Sequence, residues 1–255
     1  MADRKKPKVP NPRVQAPQRR DGSRSPAKSG GSSLDMGLGH RGVLYGAAGV
    51  GIVALIAVVV VVAFGGGSSS TKQLAAKFAD AGCTFKTVDA YVPKGQGTHV
   101  ASLTKKFPWN TTPPSNGQHY PEWAVWGFWT QTQNPRQVVH NEEHGGVIEW
   151  WGSQVSQATI AKLRDFYNEQ PVGGFGTPYP SLGSKIALTA WTGNPADYQQ
   201  DGYYGQGHIA ICPSFTDKTK AAFEAFRSAY RGKGPEGIPL CADEPGDSPV
   251  KSSCS

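Results

Sequence analysis

Residues Val43 to Phe64, VLYGAAGVGIVALIAVVVVVAF, run for 22 positions without a charge. Few sequence features narrow a chain's options as sharply. The run is about as long as an α-helix must be to cross a hydrocarbon core. Thirteen of the 22 are Val, Ile, Leu or Phe. At roughly −0.3 to −0.6 kcal/mol each they favour insertion by several kcal/mol. A buried helix of a globular core carries a polar stripe at this length, and this segment has none. It therefore reads as a transmembrane helix. Gly42-x-x-x-Gly46 and Ala47-x-x-x-Gly51 permit close contact with another helix.

Charge sets the expected orientation. Residues 1–41 hold ten Lys/Arg and three Asp/Glu, while residues 42–255 hold 16 of each sign, so the whole net charge of +7 lies before the apolar run. The positive-inside rule puts the N-terminus in the cytoplasm and the rest outside. A cleaved signal peptide is the competing reading, with Ala63-Phe64-Gly65 as its cleavage site. The apolar run is too long for an h-region and the leader too long for an n-region, which favours an uncleaved signal-anchor. His40 falls at the membrane edge.

Four regions follow. Residues 1–41 are expected to be a disordered basic cytoplasmic tail, 43–64 the transmembrane signal-anchor, 65–71 a flexible Gly/Ser linker and 72–255 an extracytoplasmic domain. The tail's Lys and Arg are interspersed with Pro, Gly and Ser, without aromatics to stack on bases. No nucleic-acid partner is expected. The partners this reading implies are the lipid bilayer and a cell-envelope protein or other ligand.

All four cysteines, Cys83, Cys212, Cys241 and Cys254, lie in the expected outer part. They are disulfide candidates, since such compartments oxidise thiols. Four cysteines allow three pairings, and no C-x-x-C occurs to suggest a redox or zinc-ribbon site. The only methionines, Met1 and Met36, precede the apolar run. The outer domain therefore has no thioether for a Cu(I) site.

Patterning in the outer domain is mixed. Helices are expected at Lys72–Ala81, Gln154–Glu169 and Thr216–Tyr230, from apolar residues at helical spacing. Strands are expected at His99–Leu103, Ala124–Trp129, Gly146–Trp151, Lys185–Trp191 and Gly207–Cys212. Phe107–Tyr120 and Pro171–Gly183 read as Pro/Gly loops. The expected class is α+β: a largely antiparallel sheet with flanking helices and long ordered loops, preceded by one transmembrane helix.

The chemistry concentrates in His140-Asn141-Glu142-Glu143-His144-Gly145-Gly146. Residues four apart on a helical turn share a face, so His140 and His144 would aim at a common point. His119 sits on a loop stiffened by Pro113 and Pro114, and His99 opens a predicted strand after a turn. We expect one metal site on His119, His140 and His144, with His99 as a fourth ligand and Glu143 as an orienting group or base. Imidazole ligands suit Zn, Cu(II) or Ni; Zn or Cu(II) is the expected cofactor. His208, at the head of a strand, reads as structural. The bland alternative is a set of histidines hydrogen-bonded in an aromatic core.

The outer domain resembles a family of bacterial membrane-anchored domains of unknown function. The likeness rests on the Pro113-Pro114-Ser115-Asn116-Gly117-Gln118-His119-Tyr120 loop and on the His140–Gly146 motif. It also rests on Ile186–Trp191 and Tyr230-Arg231-Gly232-Lys233-Gly234-Pro235-Glu236. That family tends to have an apolar residue where this chain has Glu142, and Thr-Ser where it has Ser115-Asn116.

The pattern H-x-x-E-H also appears in inverted zinc proteases, but Gly145-Gly146 would stop the helix such a site needs. No G-x-S-x-G or phosphate loop occurs, and no dinucleotide fingerprint in the strand–turn–helix setting it needs. Three classes remain: a membrane-tethered metal-binding protein for sensing, buffering or delivery; a metal-dependent hydrolase; and an envelope interaction module without metal. Enzymatic activity stays open at this level.

Overall fold

Helix α1, Ser69–Asp80, opens the part of the chain that a computed structural model describes, residues 69–242. The apolar run, the basic tail and Cys254 lie outside the described residues. Among those described, no helix is long and apolar enough to cross a membrane. Helix α1 begins three residues before the expected Lys72 and buries Leu74 and Phe78.

The remaining elements are β1 Thr84–Asp89, β2 Gly127–Phe128, α2 Pro135–Glu143, β3 Val147–Trp151, α3 Gln157–Glu169, β4 Gly174–Pro178, a 3-10 turn at Pro180–Leu182, β5 Ile186–Thr192, β6 Gln206–Cys212 and α4 Asp217–Tyr230. They form an α+β fold with one six-stranded sheet in the order β1-β6-β5-β3-β4-β2. The sheet is mixed, not largely antiparallel. β1, β6, β5 and β3 pair antiparallel, whereas β4 is parallel to both β3 and β2. The reason is α3, which occupies the β3–β4 connection. A helical crossover returns the chain to the starting end of the sheet, so the next strand runs parallel.

Two strands differ in place from expectation. Ala124–Trp129 contracts to the two residues of β2, and His99–Leu103 contributes only a bridge between His99 and His119. β1 and β4 form where no strand was expected. β4, GFGTP, lies inside the segment read as a loop. It is held between β3 and β2, and Phe128 of β2 lies where a side chain at Gly176 would have to go.

Alternation along the central strands gives the sheet two distinct faces. Ile186, Leu188 and Ala190 of β5 join Phe78, Phe166, Phe223 and Phe226 of α1, α3 and α4 in one core. Ala187 joins Trp126, Val138, Ile148, Trp150 and Phe175 in another, under α2 and the long loops. A disulfide joins Cys83 to Cys212 across 129 positions within the helix-covered core. Cys241 is also disulfide-bonded.

A buried histidine–carboxylate cluster on the loop-covered face

Helix α2 carries the centre of the site, and its ends are set locally. The Asn134 side chain accepts from the Arg136 N–H and Pro135 occupies the first turn, both common devices for starting a helix. The helix ends at Glu143, and His144 caps it. Gly145 follows with φ +89°, a conformation glycine adopts freely. The glycines thus stop the helix where the sequence indicates, and His140, Glu143 and His144 sit on its last turn.

A short crossing of loops supplies the remaining groups. The His119 N–H donates to Thr98 O at 2.9 Å, and the Val100 N–H donates to His119 O at 2.8 Å. These bonds lock His99 beside His119, with ring centroids 4.7 Å apart. The His140 ring lies 4.8 Å from that of His119 and 4.9 Å from that of His99. Gly117 is required beside them: its φ is +99°, and a Cβ there would meet Tyr91 O at 2.8 Å.

The orientation of each ring is set by a second contact. His119 Nδ1–H donates to Gly117 O at 2.8 Å, and His140 Nδ1–H donates to Tyr120 O at 2.9 Å. A neutral imidazole that donates through one nitrogen presents a lone pair on the other. Both Nε2 atoms therefore face inward, toward Glu143 Oε2, and each is an acceptor when its ring is neutral. His119 Nε2 lies 2.9 Å from that oxygen, His99 Nε2 3.2 Å and His140 Nε2 3.9 Å. Although His119 Nε2 is so near, it is fully buried and has no aligned hydrogen-bond partner.

Electrostatics follow from burial and these neighbours. Burial alone would push the Glu143 carboxyl up. The imidazoles of His119 and His99 and the Tyr198 hydroxyl outweigh it and hold the group far below the usual carboxylate range. Tyr198 donates its O–H to Glu143 Oε1; burial, then the Glu143 charge, raises its own pKa. Burial, with the His119 ring adding to it, lowers His140 to about 4, so this ring is neutral near pH 7. The Glu143 contact raises His99 against the effect of its partial burial. His99 is also the opening of the site, with 40% of its side chain exposed, whereas the Glu143 side chain is fully buried.

His144 occupies a different position. Its Nε2 lies 3.0 Å from His140 Nε2 and 3.1 Å from Glu236 Oε2. Trp123 packs over both rings, 5.6 Å from His140 and 5.4 Å from His144. Among the described residues, ligand-type atoms within 4.8 Å of one another form two sets: His99, His119, His140 and Glu143; and Glu143, His144 and Glu236. The structure therefore brings all four expected histidines and Glu143 into one region. It puts Glu143 among the ligand-type atoms of both sets.

Glu236, Tyr198 and Trp123 escape sequence reasoning. None stands at ligand spacing from another site residue. Glu236 does fall within the Tyr230–Glu236 segment singled out above. Its placement comes from glycines: the Gly232 N–H donates to Gly145 O at 2.9 Å, and a side chain at Gly234 would overlap Glu143 O and Gly145 N.

Glu142, next in the helix, points to the protein interior. Both its carboxyl oxygens are buried without an aligned partner. Burial pushes its pKa well up, only partly opposed by the Thr189 hydroxyl.

These features define a class: an α+β domain that holds a cluster of imidazoles around one buried carboxylate. The chain belongs to the family described as "Protein of unknown function (DUF3105)", whose model matches residues 99–237. That span begins at His99 and closes one residue after Glu236, so it contains every residue of the cluster. No curated protein matches the chain, and no solved structure does.

Proposed function

We propose that this chain is a membrane-anchored protein whose outer domain binds a divalent metal, Zn or Cu(II), through His119, His140 and Glu143, with His99 closing the exposed side. One observation carries the reading. Three imidazole Nε2 atoms and a carboxylate oxygen converge in one largely buried pocket, and two of the rings are held there by Nδ1–H donation to backbone carbonyls. Several inward-facing acceptors buried together repel unless a cation lies among them. The separations from Glu143 Oε2, 2.9 to 3.9 Å, fit ligands bound at about 2.0–2.2 Å to one ion. The donor set is imidazole and carboxylate, which suits a borderline metal.

The use made of the metal is sensing, buffering or delivery at the outer face of the membrane, with the bilayer and an envelope protein as partners. A second reading, metal-dependent hydrolysis, draws on the exposure of His99. A ligand at the surface can give way to water, and an open position is what a catalytic metal needs.

The test is metal analysis of the full chain purified in detergent without chelators. Bound or readily taken up Zn(II) or Cu(II) is expected in the wild type. It should be lost in His119→Ala/His140→Ala protein whose circular dichroism is unchanged. Protein that neither carries nor takes up either ion sinks the proposal. Protease added outside intact cells should cleave the domain; protection there would overturn the topology.

A further inference from the structure

The two overlapping sets offer six residues, more than the four ligands that a tetrahedral ion such as Zn(II) takes. His140 Nε2 has a single lone pair. It serves either a cation in the His99/His119/Glu143 set or an N–H of His144, 3.0 Å away. His144 Nε2 in turn lies 3.1 Å from Glu236 Oε2. Both are substantially withdrawn from water, with 6% and 25% of their side chains exposed.

We propose that the site is dinuclear: a second divalent cation is held by His144 and Glu236 and shares the Glu143 carboxylate with the first. This rests on the metal-binding reading above and extends it. Three observations carry it. Glu143 is common to both sets, and a carboxylate has two oxygens and about four lone pairs, enough to serve two ions. His140 and His144 present Nε2 atoms side by side at 3.0 Å, which suits two ions about 3.5–4 Å apart, each bound at about 2.0–2.1 Å. Finally, the packing of Gly232 and Gly234 against Gly145 and Glu143 fixes the turn that delivers Glu236, so the second carboxylate is placed by the fold.

Zn(II) content and calorimetric titration of the full chain in detergent test this. Two Zn(II) per chain are expected in the wild type. Glu236→Gln and His144→Ala should each keep one and weaken or lose the other by at least tenfold. Cu(II) loaded to two equivalents should show a spin-coupled resonance, reverting to an isolated-ion signal in Glu236→Gln. A single Zn(II) in wild type, unaffected by Glu236→Gln, overturns the second site and leaves the first reading standing. No ion at all overturns both. Two ions retained in both variants overturn the assignment of ligands. Should either variant fail to fold, the wild-type count and its Cu(II) spectrum decide the matter.

Discussion

His208 and His119 are both buried histidines served by the same sheet, yet they lie on opposite faces and are treated in opposite ways. On the helix-covered face, His208 stacks on Tyr230 of α4 at 3.8 Å. Both its nitrogens have hydroxyl partners, Thr87 Oγ1 at 2.9 Å and Thr192 Oγ1 at 2.8 Å. Nothing is left over, and burial lowers its pKa to about 3. On the loop-covered face, His119 spends one nitrogen on a carbonyl and leaves the other aimed among acceptors. On the metal-binding proposal, the difference separates a histidine that completes a core from one that keeps a ring nitrogen for a ligand. The count of satisfied ring nitrogens separates them, and burial does not.

The largest test of this contrast is covalent. The Cys83–Cys212 disulfide ties β1 to the end of β6 in the helix-covered core. Closing so long a loop is worth about 2–5 kcal/mol. Cys83→Ser/Cys212→Ser should lower stability by that amount in a denaturant titration. Zn(II) should still raise the melting temperature of this variant by as much as in wild type. A lost Zn(II) response would show that the two faces are not independent.

A smaller effect is expected at His208. Its folded pKa lies below the unfolded value near 6.5, so the unfolded chain binds the extra proton. Its contribution is fully present above pH 6.5 and is lost as pH falls toward about 3, at up to roughly 1.4 kcal/mol per pH unit. His208→Leu should cost about 1–3 kcal/mol at pH 7 by stranding two hydroxyls, and should flatten stability between pH 6.5 and 3. Metal content should not change. A variant with the same acid slope as wild type would show that His208 does not contribute to it.

The smallest effect is a gain. Glu142→Leu replaces a buried carboxyl without aligned partners, and should stabilise the fold by about 1–2 kcal/mol with metal uptake intact. A fall in melting temperature would mean that the Thr189 contact matters more than burial.

The site was more legible in the sequence than the sheet was. His140, Glu143 and His144 lie within five residues and share one helical turn, a short-range relation that spacing reveals. Gly145 marks the end of that helix for the same reason. Long-range relations left no such trace. β4 contains two glycines and a proline and becomes a strand only because β3 and β2 flank it. β1 is an edge strand with exposed and half-buried residues, so no continuous apolar run announces it. His99–Leu103 holds the β-branched Val100 but, beyond the His99–His119 bridge, has no neighbouring strand to pair with. Glu236 and Tyr198 reach the site through tertiary packing alone, which local pattern does not encode.

The glycine contact at the end of α2 has a consequence for the order of assembly. Gly234 leaves no room for a side chain beside Glu143 O, so the turn after α4 seats only against a finished α2 terminus. The His99–His119–His140–Glu143 group needs nothing beyond residue 143 from its own set, whereas the His144–Glu236 pair waits for the chain to be nearly complete. In chain order the residues of the first set are therefore complete before those of the second. A chain ending at Tyr230 should then bind one Zn(II) at most, provided it folds, and a single methyl group at Gly234 should imitate that truncation.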